Sequence, residues 1–157
     1  MGIISFQGAR PKVKKQRDVQ IKVSDYMTTK LITFSPKQSV MDVINLLVKH
    51  KISGGPVVGE NKELLGIISE GDCIKYLNES RYFNMPTNDA TVDRFMIRNV
   101  ETIDGNASIF DAANKFIATK RRRFPILKDG KLAGQISQKD VMKAALKMNS
   151  QHWRDMQ

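Results

Sequence analysis

The stretch Gly66-Ile67-Ile68-Ser69-Glu70-Gly71-Asp72 sets the organisation of this chain, because its pattern returns as Gly134-Gln135-Ile136-Ser137-Gln138-Lys139-Asp140. Both copies read Gly-x-Ile-Ser-x-x-Asp, follow a short apolar run and precede a helix-like segment (residues 73–77 and 141–146). A strand that enters a helix through Ser-x-x-Asp places a hydroxyl and a carboxylate at a helix N-terminus, where free backbone N–H groups attract anions. One copy alone is typical of a helix capping box. Its duplication also favours a ligand site.

The repeat extends over most of the chain. Residues 23–27 (VSDYM) match residues 92–96 (VDRFM), an offset of 69 positions. Four further pairs keep this offset: Thr33/Thr102, Ser39/Ser108, Asp42/Asp111 and Pro56/Pro125. The offset falls to 68 at Gly66/Gly134 and Asp72/Asp140, which indicates a one-residue deletion in the turn at residues 59–63. The chain is therefore a tandem duplication.

Each half contains the same order of predicted elements. An extended segment (residues 31–34 and 100–103) leads into a helix capped by Ser39 or Ser108. Both helices carry apolar residues spaced i, i+3, i+4, i+7 and i+8, the stripe of an amphipathic helix: Val40, Val43, Ile44, Leu47 and Val48, then Ile109, Ala112, Ala113, Phe116 and Ile117. Two strands around a polar turn follow, and the helix after Ser-x-x-Asp closes the unit.

This order predicts an α/β (α+β) fold in which two β-α-β-β-α repeats pack with pseudo-two-fold symmetry. Neither half buries enough surface to be stable alone, so the halves should pack on each other. We predict five segments: a basic N-terminal arm (1–22), the first repeat (23–77), a polar connector containing Pro86 (78–91), the second repeat (92–148) and a C-terminal tail (149–157).

Composition excludes several classes of protein. No apolar run approaches the roughly 20 residues that span a bilayer, and the N-terminus lacks the apolar core of a signal peptide. One cysteine permits no internal disulfide, and His50 and His152 are too few to form a metal cluster. We therefore expect a cytoplasmic protein with no metal site and no membrane association.

The formal net charge of +10 is concentrated in two places. The arm at residues 1–22 is basic, and Lys120-Arg121-Arg122-Arg123 precede a predicted strand. Such patches bind nucleic acid or keep a protein in solution. Nucleic-acid binding is the alternative function, although no aromatic residues interleave the charges and no reader motif is present. There is no activated nucleophile or phosphate-cradling glycine loop, so the sequence does not predict an enzyme.

The motifs together resemble a known family. Met27 or Met96 at the head of each half, the strand Pro56-Val57-Val58 and the pattern Gly-x-Ile-Ser-x-x-Asp look like the cystathionine-β-synthase (CBS) repeat, and two in tandem resemble a Bateman module. The resemblance covers residues 23–146. It implies a stand-alone regulatory or sensor module that binds AMP, ADP, ATP or a related adenosyl ligand between the repeats. It also implies a homodimer and a regulated protein partner; a ligand-free dimerisation or docking module is the other alternative.

Residue chemistry supports an adenosine ligand independently. An ionised carboxylate accepts hydrogen bonds from both ribose hydroxyls, and Asp72 and Asp140 are placed for that role. Asp42 and Asp111 lack the preceding strand and glycine, so we predict that they only cap helices. Gly66 and Gly134 have no side chain and permit close approach of backbone or ligand.

The resemblance implies hybrid clefts, in which Ser-x-x-Asp of one repeat faces the lead segment (residues 24–29 or 93–100) and the Pro strand of the other. The first cleft would then contain Ser69, Asp72, Val100, Arg122, Arg123, Phe124 and Pro125. The second would contain Ser137, Asp140, Thr29, Ser53, Gly54 and Pro56. Because arginine grips phosphate as a fork, we predict that the first cleft is the principal site and prefers di- or triphosphates. The second, with small neutral residues, suits adenosine or a monophosphate.

Overall fold

A computed structural model describes residues 21–83 and 90–155 of the chain. Most of the predicted arm and residues 84–89 of the connector lie outside the described residues. A short 3-10 turn (Val23–Asp25) comes first. The further elements are α1 (Val40–His50), β1 (Gly54–Val58), β2 (Leu64–Ser69), α2 (Glu70–Phe83), α3 (Val92–Phe95), β3 (Ile103–Asp104), α4 (Ile109–Ala118), β4 (Arg123–Lys128), β5 (Lys131–Ser137) and α5 (Gln138–Asp155).

Each repeat is built on one antiparallel hairpin. In the first, β1 pairs with β2, and in the second β4 pairs with β5. The second repeat adds β3 in parallel to β4. In the first repeat the equivalent contact is a single parallel bridge between Phe34 and Val57. The mixed α+β fold with two related repeats is confirmed, with the first predicted strand of repeat 1 reduced to this bridge.

The predicted caps of α1 and α4 are present. Ser39 Oγ accepts a hydrogen bond from the Asp42 backbone N–H at 3.1 Å, and Ser108 Oγ accepts one from Asp111 at 3.1 Å. The apolar stripes face the two cores, where the buried members are Val40, Val43 and Leu47 in α1 and Ile109, Ala112 and Phe116 in α4. The predicted helices and their inner faces are therefore confirmed.

The last stripe position was predicted to be buried, and that prediction is wrong in both repeats. Val48 is 74% exposed and Ile117 is 83% exposed. An i+8 residue lies about 80° around the helix from the first stripe position. It therefore sits at the outer edge of the buried face.

The helices that follow Ser-x-x-Asp are longer than the apolar pattern indicated. They begin at Glu70 and Gln138, directly after the serine that ends each hairpin, and reach Phe83 and Asp155. No glycine or proline interrupts residues 73–83 or 138–155, so polar residues continue the helix. Part of the predicted connector and tail is therefore helical.

The two repeats exchange their lead segments. Val23 belongs to the core of the second repeat, and Val92 and Met96 belong to the core of the first. The thioether of Met27 likewise lies against the second core. Each core thus includes apolar side chains from the other half. This reciprocal exchange is how the two halves pack on each other.

Backbone hydrogen bonds fix this exchange. Thr28 N–H donates to Gln135 O at 2.9 Å, and Gln135 N–H donates back to Thr28 O at 3.0 Å. The equivalent residues Ile97 and Ile67 form the same reciprocal pair, with both distances 2.9 Å. Each lead segment therefore adds a bridge to the second hairpin strand of the other repeat.

Two glycines make the pairing sterically possible. A Cβ at Gly66 would lie 2.6 Å from Ile97 O, and one at Gly134 would lie 2.8 Å from Thr28 O and 2.8 Å from Met27 Sδ. Contacts this short do not occur for real side chains. The expected close approach at these glycines is thus made by the lead-segment backbone.

We predict that Gly134→Ala lowers the free energy of unfolding by about 1–3 kcal/mol, the usual cost of forcing atoms into a packed site. Urea unfolding measures it. Gly71→Ala is the control, since a Cβ there meets nothing closer than Ser69 Oγ at 3.7 Å. Because Gly71 lies in α2, Gly71→Ala should leave the free energy of unfolding unchanged or raise it by about 0.5–1 kcal/mol. Wild-type stability of Gly134→Ala would contradict the pairing model.

Candidate functional site

The two Ser-x-x-Asp turns have the same geometry. Ser137 donates to Asp140 Oδ2 from its backbone N–H at 2.8 Å and from Oγ at 2.9 Å. Ser69 donates to Asp72 Oδ2 in the same way, at 2.8 and 3.0 Å. Among the described residues, no hydrogen bond reaches Oδ1 of either aspartate. The second turn also has the return bond of a capping box, from Asp140 N–H to Ser137 Oγ at 3.3 Å. Each aspartate can offer its other oxygen to a ligand.

A cavity of about 780 Å³ lies between the repeats and is bordered by the second of these turns. Ser137 and Asp140 form one wall, and Thr28 with residues 30–32 forms another. Gly54, Gly55 and Pro56 complete it from the start of β1. We call this cavity the Asp140 cleft. It brings together Ser137, Asp140, Gly54 and Pro56, as the sequence predicted.

Four cations also line the Asp140 cleft: Lys30, Arg122, Arg123 and Lys139. Asp140 is the only carboxylate among its lining residues. Arg122, Arg123, Lys30 and Lys139 are exposed, so their charges are free to turn toward an anion. The cleft therefore combines one hydrogen-bond acceptor with a strong positive potential.

A second cavity, of about 540 Å³, is bordered by the first turn. Its lining includes Ser53, Ser69 and Pro125 together with four cations, Lys120, Arg121, Arg122 and Arg123. Asp72 is not among the lining residues. We call this cavity the Ser69 cleft. It contains the predicted set of Ser69, Arg122, Arg123 and Pro125, without the predicted carboxylate.

The predicted charge difference between the clefts is wrong. The sequence argument gave the Asp140 cleft only small neutral residues, whereas Arg122 and Arg123 line it as well as the Ser69 cleft. The reason is the register of the second hairpin, in which Arg123 is paired directly with Ser137. The residues that open β4 are therefore neighbours of the Ser-x-x-Asp turn of their own repeat.

Four other predicted site residues are placed differently. Ser53 was predicted for the Asp140 cleft and lines the Ser69 cleft instead. Phe124 is fully buried, its ring centroid 4.9 Å from that of Phe116, because it alternates with Arg123 and Pro125 along β4. Thr29 is exposed and lines a separate cavity of about 220 Å³, whereas Thr28 lines the Asp140 cleft. Val100 is half-buried and borders neither cleft.

Sequence reasoning missed Lys30 and Lys139. The signal for Lys139 was present, because it stands inside Ser-x-x-Asp, where the first repeat has Gly71. Lys30 follows the lead segment by one residue, and alternation along extended backbone puts it on the same side as Thr28. Among the described residues, no group of acidic, histidine or cysteine side chains could hold a metal ion.

Cys73 follows the first Ser-x-x-Asp turn directly and is buried. Burial raises the pKa of its thiol to about 11, and the negative charges of Asp72 and Glu70 add to the effect. The neutral thiol is thus the stable form throughout the physiological range, and Cys73 is a core residue of the first repeat.

The structure is that of a tandem-repeat protein. It has two clefts, each bordered by one Ser-x-x-Asp turn. The family model of the CBS domain matches residues 23–79 and again residues 92–147. The chain belongs to the CBS domain family, with two CBS domains in tandem.

Two proteins illustrate the similarity. The chain is 28% identical to the chloroplastic CBS domain-containing protein CBSX2 of Arabidopsis thaliana, over 93% of this chain and 74% of that one. The crystal structure of CBSX2 in complex with AMP superposes with a TM-score of 0.71 and 32% identity, covering 82% of this chain and 98% of that one.

A second solved structure carries a related ligand. The CBS domain pair of protein MJ0100, in complex with 5′-methylthioadenosine and S-adenosyl-L-methionine, superposes with a TM-score of 0.65 at 25% identity. It covers 81% of this chain and 97% of that one. Within the described part of this chain, no helix has the length and apolar character needed to cross a membrane.

We predict that native Cys73 reacts with a disulfide reagent such as DTNB at least a hundredfold more slowly than an exposed thiol at pH 7.5. A rise in pKa from 9.0 to about 11 alone lowers the thiolate fraction by that factor, and burial slows access of the reagent further. The control is Val48→Cys in a Cys73→Ala background, since Val48 is 74% exposed on the same repeat. Equal rates would contradict the burial of Cys73.

Proposed function

We propose that this protein is a non-catalytic regulatory module that binds an adenosine nucleotide in the Asp140 cleft. The observation that carries the proposal is the convergence of a carboxylate with an open oxygen, Asp140, and four cations in one cavity. Ribose hydroxyls donate to Asp140 Oδ1, while phosphate oxygens accept hydrogen bonds from Arg122 and Arg123. A volume of about 780 Å³ lies in the range of small-molecule sites.

The remaining walls suit an adenine base. Leu31, Ile32 and Ile52 supply apolar surface between the two repeats. Gly54 and Gly55 bring backbone to the cavity without side chains in front of it. Adenine is a flat, largely apolar ring with polar edges, so it is held by such walls together with backbone hydrogen bonds.

The relatives support an adenosyl ligand. The CBSX2 structure holds AMP, and the MJ0100 structure holds 5′-methylthioadenosine and S-adenosyl-L-methionine. These ligands share the adenosine group and differ in what is attached to its 5′ position. In this chain the four cations favour a phosphate chain there, so we propose ADP or ATP as the preferred ligand over AMP and adenosine.

The site proposed here differs from the one expected from sequence. Asp72 stays outside the lining of the Ser69 cleft, so the principal site moves to Asp140, which shares its cleft with the same arginines. The role of Asp72 is then mainly to cap α2 through Ser69.

A regulatory role follows from what surrounds the site. The clefts hold no nucleophile paired with a base, so binding rather than turnover is the proposed outcome. Inosine-5′-monophosphate dehydrogenase of Aquifex aeolicus is 30% identical to this chain, which spans 26% of its length, so an enzyme can contain a similar segment. We propose that a protein partner responds to nucleotide binding here.

The cytoplasmic location stays a prediction, while CBSX2 is described as chloroplastic.

We predict that Asp140→Ala weakens ATP binding ten- to a hundredfold, because one charge-assisted contact is worth about 1.5–3 kcal/mol. The Arg122→Ala/Arg123→Ala double variant should lose at least as much for ATP and little for adenosine. Titration calorimetry measures both. Asp72→Ala is the matched control, since it removes the equivalent aspartate, which accepts the same two serine hydrogen bonds in the other repeat, and its first ATP should bind within about threefold of wild type.

Equal losses in Asp140→Ala and Asp72→Ala would refute the assignment to the Asp140 cleft. Unchanged ATP affinity in the arginine double variant would refute the phosphate role. Salt-sensitive binding of an oligonucleotide, with no nucleotide bound by the wild type, would favour the nucleic-acid alternative, for which the exposed residues Arg121, Arg122 and Arg123 provide the charge.

We also propose that two copies of the chain pair through their helices. Equivalent positions of the two repeats expose apolar side chains: Val48 (74%) and Ile74 (65%) in the first, Ile117 (83%) and Met142 (58%) in the second. A groove of about 480 Å³ between α1 and α2 is lined by Val48 and Ile74. Because the same positions are apolar in both halves, two copies related by a two-fold axis cover both faces together.

We predict that Ile117→Glu shifts the protein from dimer to monomer at micromolar concentration, because dimerisation would bury an unpaired carboxylate. Light scattering coupled to size exclusion measures the mass. Lys128→Glu, an exposed charge change at the far end of β4, should keep the dimer. A monomeric wild type, with and without ATP, would rule the pairing out.

A further inference from the structure

The two clefts are not separate cavities with separate walls. Both are lined by Gly54, Gly55, Pro56, Arg122, Arg123 and Gln135. These residues lie at the starts of β1 and β4 and on β5, so the clefts lie on either side of one shared partition. The two guanidinium groups on that partition can turn to either side, since Arg122 and Arg123 are both exposed.

The remaining cations divide evenly. Lys30 and Lys139 line the Asp140 cleft alone, and Lys120 and Arg121 line the Ser69 cleft alone. With the shared Arg122 and Arg123, the two clefts together carry six cations against the single carboxylate of Asp140. The local charge is thus about five positive charges for the pair of sites.

That charge is enough for one nucleoside triphosphate and insufficient for two. ATP without a metal ion carries about four negative charges, so one molecule nearly neutralises the shared region and a second would leave it negative. Two neutral adenosines meet no such limit, and two monophosphates, at about two charges each, remain within it.

We infer that the two clefts bind polyphosphates in competition with each other, because both draw on Arg122 and Arg123. The inference rests on the proposed function and extends it to regulation between the sites. The consequence is a stoichiometry that depends on phosphate number: two adenosine or AMP molecules per chain, but one ATP bound tightly. The number of occupied clefts would then depend on which nucleotide is abundant. ATP bound in one cleft would weaken the binding of a second ATP in the other cleft.

The test is titration calorimetry of the full chain in EDTA-containing, low-salt buffer, with adenosine, AMP and ATP in turn. We expect two adenosines per chain, of which the one in the Ser69 cleft binds more weakly, because that cleft lacks a carboxylate in its lining. We expect the ratio of first to second affinity to be at least tenfold larger for ATP than for adenosine. Raising the salt to 0.5 M should shrink that ratio, because the repulsion between the two phosphate chains is screened.

A charge variant connects the effect to the shared arginines. In Arg122→Gln/Arg123→Gln the first ATP should bind at least tenfold more weakly, while the adenosine stoichiometry stays at two. Lys128→Gln/Lys131→Gln is the matched control, since it removes two exposed cations of the same hairpin that line neither cleft. Its ATP titration should match wild type.

The outcomes separate the two levels of the argument. A ratio of first to second affinity for ATP that is no larger than the ratio for adenosine, or a single adenosine per chain, would overturn the competition between clefts and leave nucleotide binding intact. If neither binding heat nor displacement is detected with any adenosine ligand, the proposed function is overturned and the inference with it.

Discussion

The reciprocal backbone pairing of Thr28 with Gln135 and of Ile97 with Ile67 is the contact on which the rest of the molecule depends. It requires Gly66 and Gly134, where a Cβ would overlap the lead segment of the other repeat. The exchange places Val23 in one core and Val92 in the other, so neither repeat has a complete core alone. It also closes the cleft, because Thr28 and the residues after it form the wall opposite Asp140. The same lead segment therefore helps to complete a core and to form a wall of the candidate site.

Much of this arrangement could be predicted from sequence, because local rules and duplication point the same way. The caps at Ser39 and Ser108, the inner faces of α1 and α4, and the capping role of Asp140 all follow from side-chain chemistry and spacing. Agreement between two copies distinguishes a motif from a coincidence. The close backbone contact at Gly66 and Gly134 was predictable for the same reason.

The parts that failed depend on three-dimensional neighbours. The arginines were assigned to the cleft of Asp72 because a hybrid site was expected to take the whole Pro strand from the other repeat. The arginines line that cleft, but hairpin register brings them to the Asp140 cleft as well, since Arg123 is paired with Ser137 across an antiparallel ladder. Phe124 was included because it stands beside Arg123, although alternation turns it into the core. The exposure of Val48 and Ile117 was missed because the spacing of apolar residues alone does not tell how much of the stripe the core covers.

The two halves keep the same residue type at some positions and differ at others. Gly66 and Gly134, at the exchange, and Ser69 and Ser137, at the turns, keep their residue type in both copies. Several positions near the clefts differ: Ser53 and Gly54 correspond to Arg122 and Arg123, and Gly71 corresponds to Lys139. Five of the six cations that line the two clefts therefore come from the second repeat, and Lys30 comes from the first. Because that repeat borders both clefts, Arg122 and Arg123 contribute to the electrostatics of both cavities. Pseudo-symmetry of the backbone thus coexists with an asymmetric, shared charge.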